Sequence, residues 1–219
     1  MAQVDFLKRE EVRDVYQKNA RFYDLAVLLY PLIGIRIGRW RRLIMEELDL
    51  RRGDTVVEIG CGTGLNFARL EENVGRKEKI IGVDISEAML EKADERMRAA
   101  GWDNVELICC SAADYRFEGR VDGIVSTGAL TFDPDYDKVI ERGAEALAPG
   151  RKWVVLDYKM PDNWLRHLAP LFVAFTRSFG VSLALMERHA WESVERHLGH
   201  TKMQELYGGF VYVVSGEAP

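Results

Sequence analysis

The feature that most constrains the fold of this chain is a glycine-rich turn between an apolar run and a helical pattern. Residues 56–59 read Val-Val-Glu-Ile, and residues 60–64 place glycine at every second position, Gly-Cys-Gly-Thr-Gly. Glycine adopts positive φ angles without strain and has no Cβ, so a ligand can lie directly against the backbone. The start of the next helix adds unpaired N–H groups and partial positive charge. The pattern therefore predicts a buried strand that ends in a small-molecule binding turn.

Strand and helix patterns alternate after this turn. Apolar runs predict five strands, at residues 55–59, 79–83, 105–109, 121–126 and 153–156. Strands joined through helices form parallel sheets with right-handed crossovers, and such sheets bind ligands at the carboxyl ends of their strands. Residues 203–207 and 210–214 flank Gly208-Gly209, which predicts a terminal β-hairpin. The expected fold class is α/β, with a doubly wound, mostly parallel sheet.

The spacing of the glycines favours an adenosyl ligand without phosphate. A dinucleotide fingerprint reads GxGxxG or GxGxxA, whereas this turn reads GxGxG and has Leu65 at the position that should be small. Asp84 follows at the end of the second predicted strand, in the sequence Gly-Val-Asp-Ile-Ser. An acidic residue at that place accepts hydrogen bonds from the ribose hydroxyls of a nucleotide ligand.

The turn and its strand resemble motif I of the class I S-adenosylmethionine-dependent methyltransferases, in which an acidic residue precedes Gly-x-Gly-x-Gly. Residues 121–128 resemble motif IV, and the Leu-Ala-Pro-Gly of residues 147–150 precedes a strand as in that family. The resemblance covers roughly residues 53–158 and the terminal hairpin. It implies a Rossmann-like, seven-stranded sheet, S-adenosyl-L-methionine as cofactor and S-adenosyl-L-homocysteine as product.

The resemblance also implies which residues bind the cofactor, with Ile85 and Met89 flanking the adenine. The segment 110–117 departs from the family pattern, because alignment on Phe117 puts Ser111 where the family has an adenine-binding Asp, and Asp114 is a nearby alternative. The complete set of predicted cofactor contacts is Glu58, Gly60, Cys61, Gly62, Gly64, Asp84, Ile85, Met89, Ser111, Ala112, Thr127 and Gly128.

The acceptor pocket is predicted from the amino-terminal segment. Methyl transfer depends mainly on positioning, which contributes on the order of 7–11 kcal/mol, and the sequence singles out no general base. The Arg-Phe-Tyr-Asp of residues 21–24 resembles the Tyr-Asp segment of quinone C-methyltransferases and bacterial phospholipid N-methyltransferases, where an amino-terminal helix covers the cofactor. We therefore expect Tyr16, Tyr23 and Thr127 to line the pocket; packing of the rings against the core is the alternative.

The expected organisation is an amino-terminal helical cover over residues 1–52 and a cofactor-binding domain over 53–219, with a helical lid at about 162–198. The cover holds eleven Lys and Arg against eight Asp and Glu, in a chain of net charge -5. Its arginines at 36, 39, 41 and 42 predict peripheral contact with an anionic membrane. The apolar stretches 25–35 and 168–186 contain Pro and Gly, so neither is predicted to span a membrane. The three cysteines form no CxxC pair, so we predict a reduced, cytoplasmic protein, with a peripheral position at the inner membrane face as an option.

The acceptor hypothesis from sequence is the amine of an amphiphile such as phosphatidylethanolamine, with a quinone precursor methylated at carbon, or another small molecule, as the alternative. A non-catalytic S-adenosylmethionine-binding module and an NAD-dependent oxidoreductase are further alternatives, and Leu65 argues against the second. The spacing of His197 and His200 lacks the accompanying ligands of a metal site, so no metal is predicted. The acidic net charge predicts no nucleic-acid partner.

Overall fold

The computed structural model describes residues 9–176 and 179–219 of the chain, and a seven-stranded sheet lies at its centre. The strand order is β3-β2-β1-β4-β5-β7-β6. Strands β1 to β5 are parallel, whereas β7 is antiparallel to both β5 and β6 and so forms the predicted terminal hairpin. The strands are β1 Val56–Ile59, β2 Ile80–Asp84, β3 Val105–Cys109, β4 Val121–Thr127, β5 Leu147–Tyr158, β6 Gly199–Leu206 and β7 Val211–Glu217.

Helices cover both faces of the sheet, because alternate residues of each buried strand point into different cores. Val154 packs with residues of the first four helices, while its neighbours Trp153 and Val155 pack with the fifth and the eighth. The helices are α1 Arg9–Leu29, α2 Ile37–Leu48, α3 Phe67–Val74, α4 Glu87–Ala100, α5 Tyr136–Ala146, α6 Ala169–Thr176, α7 Leu183–Met186 and α8 Ala190–His197. The predicted doubly wound, Rossmann-like fold with a terminal hairpin is confirmed.

Two boundaries differ from those expected. Strand β5 begins at Leu147 and not near Trp153, and the Pro-Gly pair at 149–150, expected to precede the strand, lies inside it. The pairing of β5 with β4 is irregular across this stretch, and proline is tolerated at such a bulge because no ladder hydrogen bond is required there. The expected helical region 162–198 is divided into a 3₁₀ turn, Trp164–Leu168, and helices α6 to α8.

No helix within the described residues is long and apolar enough to cross a membrane. The apolar stretch 25–35 is divided between the end of α1 and the 3₁₀ turn Tyr30–Ile33, which ends at Gly34. Gly34 adopts a φ of 84°, the left-handed conformation that commonly ends a helix.

Candidate active site

A cavity with about 730 Å³ of empty space, part of it open to solvent, lies at the carboxyl ends of β1, β2 and β4, and we call it the first cavity. Nine of the twelve predicted cofactor contacts line it, together with the predicted pocket residues Tyr16 and Tyr23. These nine are Gly60, Gly62, Asp84, Ile85, Met89, Ser111, Ala112, Thr127 and Gly128.

The other three predicted contacts, Glu58, Cys61 and Gly64, lie outside the described lining of this cavity. Glu58 and Cys61 are buried, and a Cβ on Gly64 would come within 2.5 Å of the Phe67 ring. These residues therefore pack the glycine turn against the protein core, on the side away from the cavity. Their predicted contact with the cofactor stays a prediction.

The glycine turn needs its glycines for two different reasons. Gly60 has a φ of 71°, and a Cβ there would lie 2.1 Å from the Cβ of Ala129, so this position is crowded by protein. Gly62 has a φ of 54°, but a Cβ there would meet no protein atom within 4 Å. Because Gly62 lines the first cavity, the space beside it is available to a ligand.

Asp84 joins the glycine turn to the start of α4. One carboxylate oxygen accepts a hydrogen bond from the Gly62 N–H, and the other accepts one from the Ser86 N–H, both at 2.9 Å. Burial raises the pKa of Asp84, while these backbone donors oppose the shift. Each carboxylate oxygen has further lone pairs, so Asp84 can still accept hydrogen bonds from a ligand in the cavity.

A buried polar chain supports the lining residue Thr127. The side-chain amide of Asn66 donates to Glu58 Oε1 at 2.6 Å and to Thr127 Oγ1 at 3.3 Å. Since Thr127 accepts this bond, its own hydroxyl proton is available to another acceptor. Burial raises the pKa of Glu58 to about 8, with Asn66 and Arg41 acting in the opposite direction.

Helix α1 lies over the first cavity and is attached to its rim at three places. Near the start of the helix, Arg9 donates to Asp133 at 2.8 Å and to Asp135 at 2.5 Å. In its middle, Gln17 Oε1 accepts from the Ser86 hydroxyl and from the N–H of residue 88. Asp24 accepts from the Thr63 hydroxyl at 2.6 Å and from the guanidinium of residue 96 at 2.5 Å.

A second cavity, with about 620 Å³ of empty space that is likewise partly open to solvent, adjoins the first. The two share Tyr16, Tyr23, Thr127 and Gly128, so these residues stand where the cavities meet. The lining of the second cavity is rich in aromatic rings, and among its described residues Arg41 alone carries a full charge at neutral pH. The remaining lining residues are Val27, Tyr30, Ile37, Trp40, Ile44, Leu156, Tyr158 and Phe179.

The ionisable groups of the second cavity have distinct states at neutral pH. Burial raises the pKa of Tyr23 and of Tyr158, so both phenols stay protonated and can donate hydrogen bonds. Burial lowers the pKa of Arg41, but a guanidinium starts so high that it remains charged. Arg41 is held in place by a hydrogen bond from Nη1 to the Leu65 carbonyl at 3.2 Å.

Several residues of the two cavities were not identified from the sequence. Arg9 and Asp133 line the first cavity although 124 residues separate them. Arg41 was interpreted as one of several surface arginines, and Phe179 lies within the stretch 162–198 that was interpreted only as a lid. Asn66 could have been identified from the sequence, because it lies two positions beyond the last glycine of the turn, at the start of α3.

The chain is similar in sequence to known proteins. Residues 56–150 match a family described as a methyltransferase domain. Among curated relatives, the demethylmenaquinone methyltransferase of Listeria welshimeri is 28% identical over 221 residues, covering 94% of this chain and 90% of the relative. That of Geobacillus kaustophilus is 29% identical over 215 residues, covering 94% and 91%.

Two solved structures are similar in fold. Phosphoethanolamine N-methyltransferase 2 of Haemonchus contortus superposes with a TM-score of 0.74 at 17% identity, covering 95% of this chain and 60% of that one. Geranyl diphosphate C-methyltransferase of Streptomyces coelicolor superposes with a TM-score of 0.66 at 15% identity, covering 83% and 79%. These two similarities show the fold of this chain alone.

Proposed function

We propose that this chain, a class I S-adenosylmethionine-dependent methyltransferase, methylates a phenolic or hydroquinone-type acceptor such as a quinone precursor. The observation that carries the proposal is the second cavity, which is lined by aromatic rings, contains Arg41 and meets the first cavity at Thr127 and Gly128. A flat aromatic acceptor would be enclosed there by rings that favour offset and edge-on contacts. The curated relatives named as demethylmenaquinone methyltransferases support the same acceptor class.

The first cavity fits the cofactor better than it fits a phosphate-bearing dinucleotide. Two carboxylates, Asp84 and Asp133, line it, and the guanidinium of Arg9 is already engaged by Asp133 and Asp135. Carboxylates would repel a diphosphate, whereas they suit a sulfonium and ribose hydroxyls. We propose that Asp84 accepts from the ribose, that Ile85 and Met89 flank the adenine, and that the turn at Gly60 and Gly62 receives the amino-acid portion. Bound S-adenosylmethionine would supply an electrophilic methyl group.

Arg41 would activate the acceptor. A guanidinium beside a phenol stabilises the phenolate and lowers the pKa of the hydroxyl, because an opposite charge favours the ionised form. The negative charge is delocalised into the ring, which makes oxygen and the neighbouring ring carbons nucleophilic. The acceptor would form its new bond to the methyl group as the methyl–sulfur bond breaks, and its phenolic proton would be released to solvent. Tyr23 and Tyr158, which stay protonated, would orient the acceptor as neutral donors and exclude water.

The amine of phosphatidylethanolamine is the second candidate acceptor. The aromatic lining of the second cavity favours it, since rings attract ammonium groups by roughly 0.5–2 kcal/mol. Arg41 opposes it, because a guanidinium repels an ammonium in the same cavity. We therefore rank the phenolic acceptor first.

We further propose that residues 1–52 act as a helical cover on the cofactor-binding domain formed by residues 53–219. The three attachments of α1 to the rim, through Arg9, Gln17 and Asp24, support this role. Residues 162–198 would serve as the lid of the second cavity, to which Phe179 contributes a ring.

The test is an acceptor screen that measures release of S-adenosylhomocysteine. Reduced naphthoquinone and simple hydroquinones are compared with phosphatidylethanolamine in detergent micelles. We expect turnover with the phenolic acceptors, a loss of about tenfold or more in Arg41→Gln from removal of one charge-assisted contact, and partial recovery in Arg41→Lys. Cofactor affinity should be unchanged in both variants. Labelled methyl groups on phosphatidylethanolamine alone would overturn the proposal.

A further inference from the structure

Two rows of large apolar side chains are exposed on neighbouring parts of the surface. On α1, Phe22 is 68% exposed and Leu28 is 73% exposed, and Leu25 and Leu29 lie beside them. On the 3₁₀ turn and α6, Trp164 is 72% and Leu171 is 70% exposed, and Leu168 and Phe175 continue the row. Residues three and four positions apart share one side of an α-helix, so the four on α1 form one stripe. Leu171 and Phe175 share one side of α6, and Trp164 and Leu168 of the preceding turn complete the second stripe.

The two stripes border the second cavity. The ring of Phe179, which follows α6, packs edge-on against Tyr23 of α1 and against Tyr30, with ring centroids 5.8 and 5.9 Å apart. All three rings line the cavity. On the other side, Asn163 donates to the Gly208 carbonyl at 2.9 Å.

The hairpin turn completes this border. The hydroxyl of Tyr207 accepts from the Arg36 N–H at 3.0 Å, and its ring packs against Trp40, with centroids 4.8 Å apart. Trp40 belongs to the lining of the second cavity. The turn therefore connects the start of α2 with the segment that carries Trp164.

The charges around the stripes are mostly positive. Arg21 flanks the stripe on α1, Arg36 and Arg39 lie at the start of α2, and Arg166 lies beside Trp164; all four are exposed. The sequence contains no Asp or Glu in residues 25–45 or in residues 163–186, and the carboxylates that precede these ranges, Asp24 and Asp162, are paired with Arg96 and Lys159. This distribution contrasts with the net charge of -5 for the whole chain, so the positive charge is concentrated where the apolar side chains are exposed.

We propose that these two stripes and their flanking arginines form a docking surface for an anionic lipid bilayer, with the mouth of the second cavity held against the membrane. Exposed apolar side chains enter the interface between headgroups and acyl chains, and basic residues near an anionic surface strengthen the binding. A second copy of the chain fits this surface less well, because pairing like surfaces would bring like charges together. The role of the mouth rests on the proposed function, since an acceptor dissolved in the membrane would reach the cavity without crossing water.

The experiment is a flotation assay with purified protein and vesicles, without acceptor or cofactor. Vesicles of phosphatidylglycerol mixed with phosphatidylcholine are compared with phosphatidylcholine alone. We expect binding to the anionic vesicles that weakens with added salt. The variant pair Leu28→Ser with Leu171→Ser should bind at least about tenfold more weakly, since each serine removes apolar surface that would otherwise be buried in the bilayer.

Matched controls separate the surface from general effects. Met203→Ser removes an exposed apolar side chain from β6, and Arg120→Gln removes an exposed charge elsewhere; both should bind like the unaltered chain. Arg36→Gln with Arg39→Gln should lose the preference for anionic vesicles. A shift of tryptophan emission to shorter wavelength on binding should diminish in Trp164→Phe.

Two results would overturn the proposal. One is equal vesicle binding by the unaltered chain and by the Leu28, Leu171 variant pair. The other is absence of vesicle binding together with a dimer in solution that the same pair dissociates, which would assign the surface to a second copy. Neither result depends on methyl transfer, so the docking surface can fail while the proposed activity stands, and the reverse.

Discussion

Arg9, in the first turn of α1, donates a hydrogen bond to Asp133 at 2.8 Å across the rim of the first cavity. We expect Arg9→Gln to loosen this attachment and to weaken cofactor binding about two- to fivefold, as for a partly exposed ion pair. Calorimetric titration with S-adenosylhomocysteine measures the change. Arg13→Gln, on the exposed side of the same helix, is the control. Equal affinities of the two variants would contradict a role of α1 as cover.

Asp84 offers the most direct test of the cofactor site. Because its carboxylate lines the first cavity and can accept from ribose hydroxyls, we expect Asp84→Asn to bind the cofactor about 10- to 100-fold more weakly, the effect of one lost bond to a charged acceptor. Asp94→Asn, on the outer side of α4, should bind normally. An unchanged affinity in Asp84→Asn, with the protein folded, would exclude the proposed ribose contact.

Gly60 and Gly62 should respond differently to the same substitution. In Gly60→Ala the new Cβ would overlap Ala129, so we expect a loss of stability of about 1–3 kcal/mol as in an overpacked core. In Gly62→Ala the Cβ enters open space, so we expect a smaller loss of stability, on the order of 1 kcal/mol for the left-handed conformation. Its main effect should be on cofactor affinity. Urea unfolding and calorimetric titration of both variants give the comparison.

Glu58 should make the stability of the fold depend on pH. Burial raises its pKa to about 8 in the folded chain, so the folded state binds a proton that the unfolded state has released above about pH 4.5. The free energy of unfolding should therefore fall as pH rises towards 8, by up to about 1.4 kcal/mol per pH unit for one proton.

The variant Glu58→Gln isolates that contribution. Glutamine retains an oxygen that can accept from Asn66 and does not titrate, so the difference in unfolding free energy between variant and unaltered chain should change between pH 5 and 8. Urea denaturation at several pH values measures it. Parallel curves for the two proteins would mean that Glu58 is ionised throughout this range.

The fold was predictable because its signals are local. The strand at 56–59, the turn at Gly60 to Gly64 and the acidic residue at 84 lie within one crossover unit, and each has a pattern of its own. The start of β5 at Leu147 was not predictable, since a Pro-Gly pair normally interrupts regular structure. It is tolerated here by an irregular pairing with β4, which is a property of the assembled sheet.

Only part of the second cavity could be predicted from the sequence. Tyr16 and Tyr23 were predicted as pocket residues, and both line it. Arg41 was indistinguishable from its neighbours Arg39 and Arg42, because only the rotation of α2 turns it inward while the other two stay exposed. The partnership of Arg9 with Asp133 depends on how α1 crosses the sheet, and no local pattern encodes that crossing.

Helix α1 contributes Tyr16 and Tyr23 to both cavities at once. Any displacement of this helix on binding of one ligand therefore changes the cavity that binds the other. Thermodynamic linkage makes such an effect reciprocal: the factor by which the cofactor changes the affinity for the acceptor equals the factor by which the acceptor changes the affinity for the cofactor. With the proposed cofactor in the first cavity and the proposed acceptor in the second, one helix would couple the loading of both.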